Sequence, residues 1–141
     1  MIVIASIITL IPMIISDIRK REVNILWLLL FSVVQLYFNG ISNVIYNIGI
    51  LLFIFLGMYL YIIFRYGLRS KITNYFGMGD MLFLISLTIA FSIREYTYFL
   101  IIGFIFSIIW WLISKKETIP LVSTLGSTYI IWLLIKNLYY E

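Results

Sequence analysis

Six apolar runs separated by short polar intervals set the pattern of this chain: Met1 to Ser16, Asn24 to Phe38, Asn43 to Tyr66, Gly79 to Ile93, Tyr96 to Ser114 and Ile119 to Leu138. Runs near the ~20 residues that cross a bilayer as helix predict an all-α polytopic membrane protein, a bundle of six transmembrane helices. The first run is short for a span, so its helix is expected to continue through Asp17 into the basic turn Asp17-Ile18-Arg19-Lys20-Arg21-Glu22. Its charges follow the apolar stretch instead of preceding it, so it reads as a retained helix and not as a signal peptide. Asn39-Gly40 closes the second run as a turn. Pro120 falls in the first turn of the last run, where a missing N–H costs nothing. The polar gaps are a few residues long apart from one near 65–78, so residues 1–141 are expected to form a single membrane domain with no separate soluble one. No internal repeat is evident.

Composition strengthens that reading and narrows the chemistry. Of the 141 residues 64% are hydrophobic and 11% charged, with a mean hydropathy of +1.12, whereas soluble domains carry roughly 45–50% apolar and about 25% charged residues. There is no Cys and no His, which excludes thiolate nucleophiles, disulfides, His/Cys metal sites and every His-based triad. Carboxylates, hydroxyls, Lys and Arg remain. No cofactor, metal or nucleic-acid partner is expected, and the partner every run implies is the lipid bilayer. The net charge of +4 is explained by its placement. Arg19, Lys20, Arg21, Arg65, Arg69, Lys71, Lys115 and Lys116 fall on one side of the expected bundle, against Arg94 and Lys136 on the other. The positive-inside rule then puts both termini outside and the loops at 17–23, 65–78 and 115–118 in the cytoplasm. Trp27, Trp110, Trp111 and Trp132 are candidate interfacial anchors, and most aromatic residues are read as lipid-facing bulk.

Two acids stand out by position. Asp80 sits in Gly77-Met78-Gly79-Asp80 at the mouth of the fourth run, and Asp17 ends the first; both fall on the expected cytoplasmic face. A carboxylate at the edge of hydrocarbon is costly unless paired, protonated or wetted, which makes each a functional-site hypothesis. The glycines give the backbone freedom just before Asp80. If the two carboxylates meet, they cannot both ionise cheaply; one pKa rises, one falls, and the pair holds a general base and a general acid together. Plainer readings exist for each part. Asp80 could cap a helix start, Asp17 could be solvated beside Arg19 and Arg21, and Gly77 and Gly79 could be an ordinary loop-to-helix joint. Glu22, Glu95 and Glu117, each next to basic residues, are read as solvated.

Three stretches together resemble the GxGD intramembrane aspartyl proteases, and among them the type IV prepilin and archaeal preflagellin (archaellin) peptidases. They are Asp17-Ile18-Arg19-Lys20-Arg21-Glu22-Val23-Asn24-Ile25, Gly77-Met78-Gly79-Asp80, and Ile119-Pro120-Leu121-Val122-Ser123-Thr124-Leu125-Gly126. In that order, with the six-run layout, they cover nearly the whole chain. The resemblance implies that Asp17 and Asp80 are the catalytic pair, that Gly77 and Gly79 shape the loop carrying Asp80, and that the substrate is the class III signal peptide of a pilin-like or archaellin precursor. The cut would remove a short basic leader at the cytoplasmic face of the cell membrane. The chain departs from the family where Val23-Asn24 replaces a Pro-Asn entry to span two, and where Val122-Ser123-Thr124 replaces Gly-Pro-Phe. It also lacks the cysteine-rich insertion associated with zinc and N-methylation, which implies proteolysis without methyl transfer. Compactness and an Ile-, Asn- and Tyr-heavy composition resemble archaeal members more than bacterial ones. The sequence leaves the precursor and the oligomeric state open. Two other classes compete: a proton- or cation-coupled transporter using Asp17 and Asp80, and a non-catalytic assembly subunit. Acids on one face instead of at the midplane, and the lack of paired halves, count against the transporter.

Overall fold

The computed structural model describes residues 1–20, 22–67, 77–114 and 121–139. Every element among them is helical: α1 (Ile2–Lys20), α2 (Ile25–Asn39), α3 (Val44–Tyr66), α4 (Met78–Leu87), α5 (Ile93–Ser114) and α6 (Leu121–Tyr139). Arg21, Arg69, Lys71, Lys115, Lys116, Glu117, Ile119 and Pro120 lie outside the described residues, as does most of the polar interval before Gly77. Helix α1 runs on through Asp17 as expected. Four helices, α1, α3, α5 and α6, are long and apolar enough to cross a membrane. At 1.5 Å per residue α2 extends about 22 Å and α4 only about 15 Å, so each is shorter than the ~30 Å of hydrocarbon.

The fourth run is where the helix boundaries depart most from expectation. Its helix stops at Leu87, not Ile93, and Thr88–Ala90 form turns. Arg94 and Glu95 belong to the first turn of α5. The cause is a capping arrangement that the Ser-x-x-Glu spacing encodes: the Ser92 N–H and Oγ both donate to Glu95 Oε2 at 3.3 and 3.0 Å, and the Tyr96 N–H reaches the Ser92 carbonyl. Glu95 is therefore not simply solvated. Non-helical backbone in apolar surroundings needs partners for its carbonyls. Asn47 of α3, fully buried, supplies them by donating through Nδ2 to the carbonyls of Thr88 and Phe91, both at 2.8 Å. Those two carbonyls fix the amide's orientation, and Asn47 Oδ1 accepts no bond among the described residues.

Packing centres on α6. It lies against α1 and α5, with α4 also touching it; α2 packs on α1 and α4, and α3 rests on α5 and α4 from outside. Half of the span in α6 is buried, against 17% of that in α3. Helices in lipid gain little from apolar burial, so van der Waals fit and interhelical hydrogen bonds hold them together. Gly103 on α5 leaves the space that Leu125 of α6 fills. Gln35, fully buried on α2, ties three helices: its Nε2 donates to Ser6 Oγ of α1 at 2.9 Å, and its Oε1 accepts from Tyr129 of α6 at 3.0 Å. Ser107 of α5 and Thr124 of α6 pair at 2.6 Å. Interhelical bonds of this kind contribute roughly 0.6–2 kcal/mol each.

The aromatic residues divide into two populations, which corrects the expectation of lipid-facing bulk. Phe31, Phe83, Tyr96, Phe99 and Tyr129 are essentially inaccessible. Phe91 stacks on Phe99 at 4.6 Å between centroids and meets Tyr129 edge-on at 5.3 Å, and Phe31 meets Tyr129 at 5.7 Å. Trp132 packs edge-on against Phe91 and Phe99 instead of standing free as an anchor. Phe53 (77% exposed), Phe64 (87%) and the aliphatic residues around them form the apolar exterior. A soluble monomer rarely carries so large an apolar surface; a bilayer would cover it.

Candidate functional site

One end of the bundle gathers the C-terminus of α1, the joint Glu22–Asn24, and the N-termini of α4 and α6. Asp17 lies in the last turn of α1, 4% exposed and facing α6. Its Oδ2 accepts from the Ser123 backbone N–H at 2.8 Å and from Ser123 Oγ at 2.6 Å. Ser123 is the third residue of α6. Its N–H is one of the first-turn donors that a helix cannot satisfy internally, and the carboxylate meets the positive end of the helix dipole. Short bonds to a carboxylate are the strong kind. The same Ser123 hydroxyl also lies 3.3 Å from the Ile14 carbonyl. Asp17 is thus buried and bonded across helices, not solvated in a charged turn, while Arg19 and Lys20 beyond it are exposed.

Asp80 is the third residue of α4, after the N-cap Gly77, and is half-buried. Gly77 has extended backbone and caps through no side chain. The Asp80 carboxylate leans back over it, with Oδ2 3.0 Å from where a Cβ on Gly77 would stand. Gly79 does something different. A Cβ there would fall 2.7 Å from Val23 Cγ2 and 2.8 Å from Val23 Cβ, so only glycine lets α4 seat this closely on the α1–α2 joint. That joint is itself folded back onto α1, because Ser16 Oγ donates to the Glu22 carbonyl at 2.9 Å. Asn24 then starts α2, its side chain accepting from the Leu26 N–H.

A continuous set of contacts therefore runs from Ser16, beside Asp17, through Glu22 and Val23 to Gly79, beside Asp80. The structure brings the elements bearing Asp17, Gly77, Gly79 and Asp80 to one end. The residue that sequence reasoning did not assign is Ser123. It lies inside the third stretch quoted above, but nothing in the sequence connects it to Asp17, 106 positions earlier. Among the described residues no group of three or more carboxylates gathers that could hold a metal ion. Comparison of the chain with protein-family models, with curated proteins and with solved structures returned no match.

Proposed function

We propose that this chain is a membrane aspartyl endopeptidase that removes the basic leader from type IV pilin-like or archaellin precursors, using Asp17 and Asp80. The observation that carries the reading is the fit of Gly79 onto Val23, which draws the start of α4 and its Asp80 to the bundle end where Asp17 is buried. The chain would cross the cell membrane six times with both termini outside, α2 and α4 completing their crossings with the turns that follow them. The site would then face the cytoplasm, where a basic leader meets the apolar helix it precedes.

In this reaction one carboxylate, ionised, takes a proton from water as the water oxygen attacks the scissile carbonyl. The other, protonated, donates to the carbonyl oxygen. Collapse of the tetrahedral species breaks the C–N bond, and the proton taken from water passes to the leaving amine. Both Ser123 bonds fall on Oδ2 of Asp17, which makes Ser123 a positioning residue for that carboxylate. Because only the singly protonated pair is competent, activity should fall at both acid and alkaline extremes; a profile flat from roughly pH 4 to 9 counts against the dyad. No methyl transfer is proposed.

The deciding experiment is cleavage of a pilin-type and an archaellin-type precursor in membranes containing the chain, with mass spectrometry of the new N-terminus. Wild type should cut at the junction of leader and helix, and Asp17→Asn and Asp80→Asn should not. Equal cutting by all three would assign the activity to another protein. No cutting together with Asp-dependent ion flux would favour a transporter.

A further inference from the structure

The opposite end of the bundle holds a second arrangement that the proposed peptidase does not use. Ser123 begins α6 near Asp17, and Lys136 is thirteen residues on, about 20 Å along the helix. Lys136 Nζ pairs with Glu95 Oε1 at 2.8 Å; the side chains are 46% and 31% exposed. Two cavities share this pair as a wall. One, of ≈ 610 Å³, runs down the α5–α6 face along Ile102, Ile131, Trp132 and Ile135. The other, of ≈ 190 Å³, lies on the far side of the pair among Asn39, Asn43, Phe91 and Ser92. An apolar groove and a polar recess thus meet at one anion and one cation. Asn43 makes no capping hydrogen bond with its side chain, which leaves its amide for an occupant of the recess.

A ligand that fills both spaces must be amphipathic, with its polar part at the end of α5 and α6 and its apolar part lying along the outer α5–α6 face toward the middle of the helices. The charges narrow it further. A headgroup with phosphate alone would satisfy Lys136 but set its negative charge against the Glu95 carboxylate. A headgroup with phosphate and a hydrogen-bonding ammonium complements both. Glu95 Oε2 is already engaged by Ser92, so the ammonium would join Oε1, while the other N–H groups of Lys136 Nζ turn to phosphate oxygens. Trp132, held edge-on against Phe91 and Phe99, forms one wall of the groove.

We propose that Glu95 and Lys136 form a binding site for a phospholipid bearing a primary ammonium, the phosphate on Lys136, the ammonium on Glu95 and one acyl chain in the Ile102–Trp132 groove. The test uses the full chain with Trp27→Phe, Trp110→Phe and Trp111→Phe, so that Trp132 is the remaining tryptophan. The chain is placed in phosphatidylcholine vesicles doped with phosphatidylethanolamine, phosphatidylglycerol or phosphatidylcholine carrying brominated acyl chains, and quenching of Trp132 is read. Phosphatidylethanolamine should associate about fivefold more strongly than the other two, the fold-change of one net hydrogen bond of about 1 kcal/mol, here from its ammonium to Glu95. Glu95→Gln, which can still cap Ser92, and Lys136→Ala should each abolish the preference. Ile131→Phe, which crowds the groove, should reduce quenching by all three lipids. Equal quenching by the three headgroups, a preference for phosphatidylglycerol, or a preference that survives both charge variants would each overturn the proposal.

Discussion

The two ends of this bundle hold their acids in opposite ways. At one end Asp17 is 4% exposed and bonded by a backbone N–H and a hydroxyl from another helix. At the other, Glu95 pairs with Lys136 where both are substantially exposed, and it also closes a capping box within its own helix. A buried carboxylate costs several kcal/mol unless its lone pairs are met. Exposed ion pairs contribute roughly 0–1 kcal/mol and are tolerated almost anywhere. The difference teaches which end carries the constraint: the fold positions Asp17 through buried bonds to a helix far along the chain, whereas Glu95 is fixed by Ser92 three residues before it and reaches Lys136 of α6 only through an exposed pair. Neutral groups do the joining between them. Gln35 and Asn47 are fully buried and bond across helices.

The largest expected effect breaks the buried end. Asp17→Asn and Asp80→Asn keep size and most hydrogen bonding, and each should lower precursor cleavage by about 10²–10⁴-fold, the usual worth of a positioned acid or base. Helix content by circular dichroism should stay within error of wild type, which separates lost chemistry from lost fold. The next effect tests the seat of α4. Gly79→Ala places a methyl into Val23, and overpacking of this kind costs about 1–3 kcal/mol. Thermal stability in detergent should fall accordingly, and cleavage with it. Because Val23 Cβ itself stands in the way, Val23→Gly should restore both in the double variant while Val23→Ala restores them only in part. Additive losses in Gly79→Ala/Val23→Gly would show that the contact is not what holds α4 in place.

How much of this was legible in the sequence differs between the elements and what joins them. The apolar runs mark the helices because chain crossing lipid needs little else, and α1, α2, α3 and α6 begin and end within a few residues of the runs. The end of α4 was not legible. Thr88-Ile89-Ala90-Phe91 continues the apolar pattern, and the break there is tolerated because Asn47, 41 positions from Thr88, satisfies the freed carbonyls. The Ser92–Glu95 box was readable by its spacing and marks the start of α5. Buried and lipid-facing aromatics could not be told apart, because a helix apolar all round has no period that separates core from lipid. The Gly-x-Gly-Asp stretch was conspicuous, but the reason for its second glycine is the side chain of Val23, which only the folded chain brings there. Ser123 was in view with no partner, since a contact between the end of α1 and the start of α6 leaves no local trace.

Smaller effects sharpen the contrast within single hydrogen bonds. Ser123→Ala removes the hydroxyl bond to Asp17 and keeps the backbone one. It should cost about 1.5–3 kcal/mol in stability, as for a lost bond to a charged group. If Ser123 positions Asp17, the pH–rate profile should move as well as its height, and Ser123→Thr should recover most of both. A loss of stability with an unmoved profile would make Ser123 a structural residue only.

Glu95→Gln is the smallest change and the cleanest reading of the exposed end. It abolishes the ion pair with Lys136 while Gln can still accept from Ser92, so stability should shift by no more than about 0.5 kcal/mol and precursor cleavage should be unchanged. Glu95→Ala loses the cap too and should cost about 1 kcal/mol more. Equal losses in the two variants would mean that the ion pair with α6, and not the cap, secures the start of α5. The exposed end would then depend on contact across helices as the Asp17 end does, and the contrast between the two would disappear.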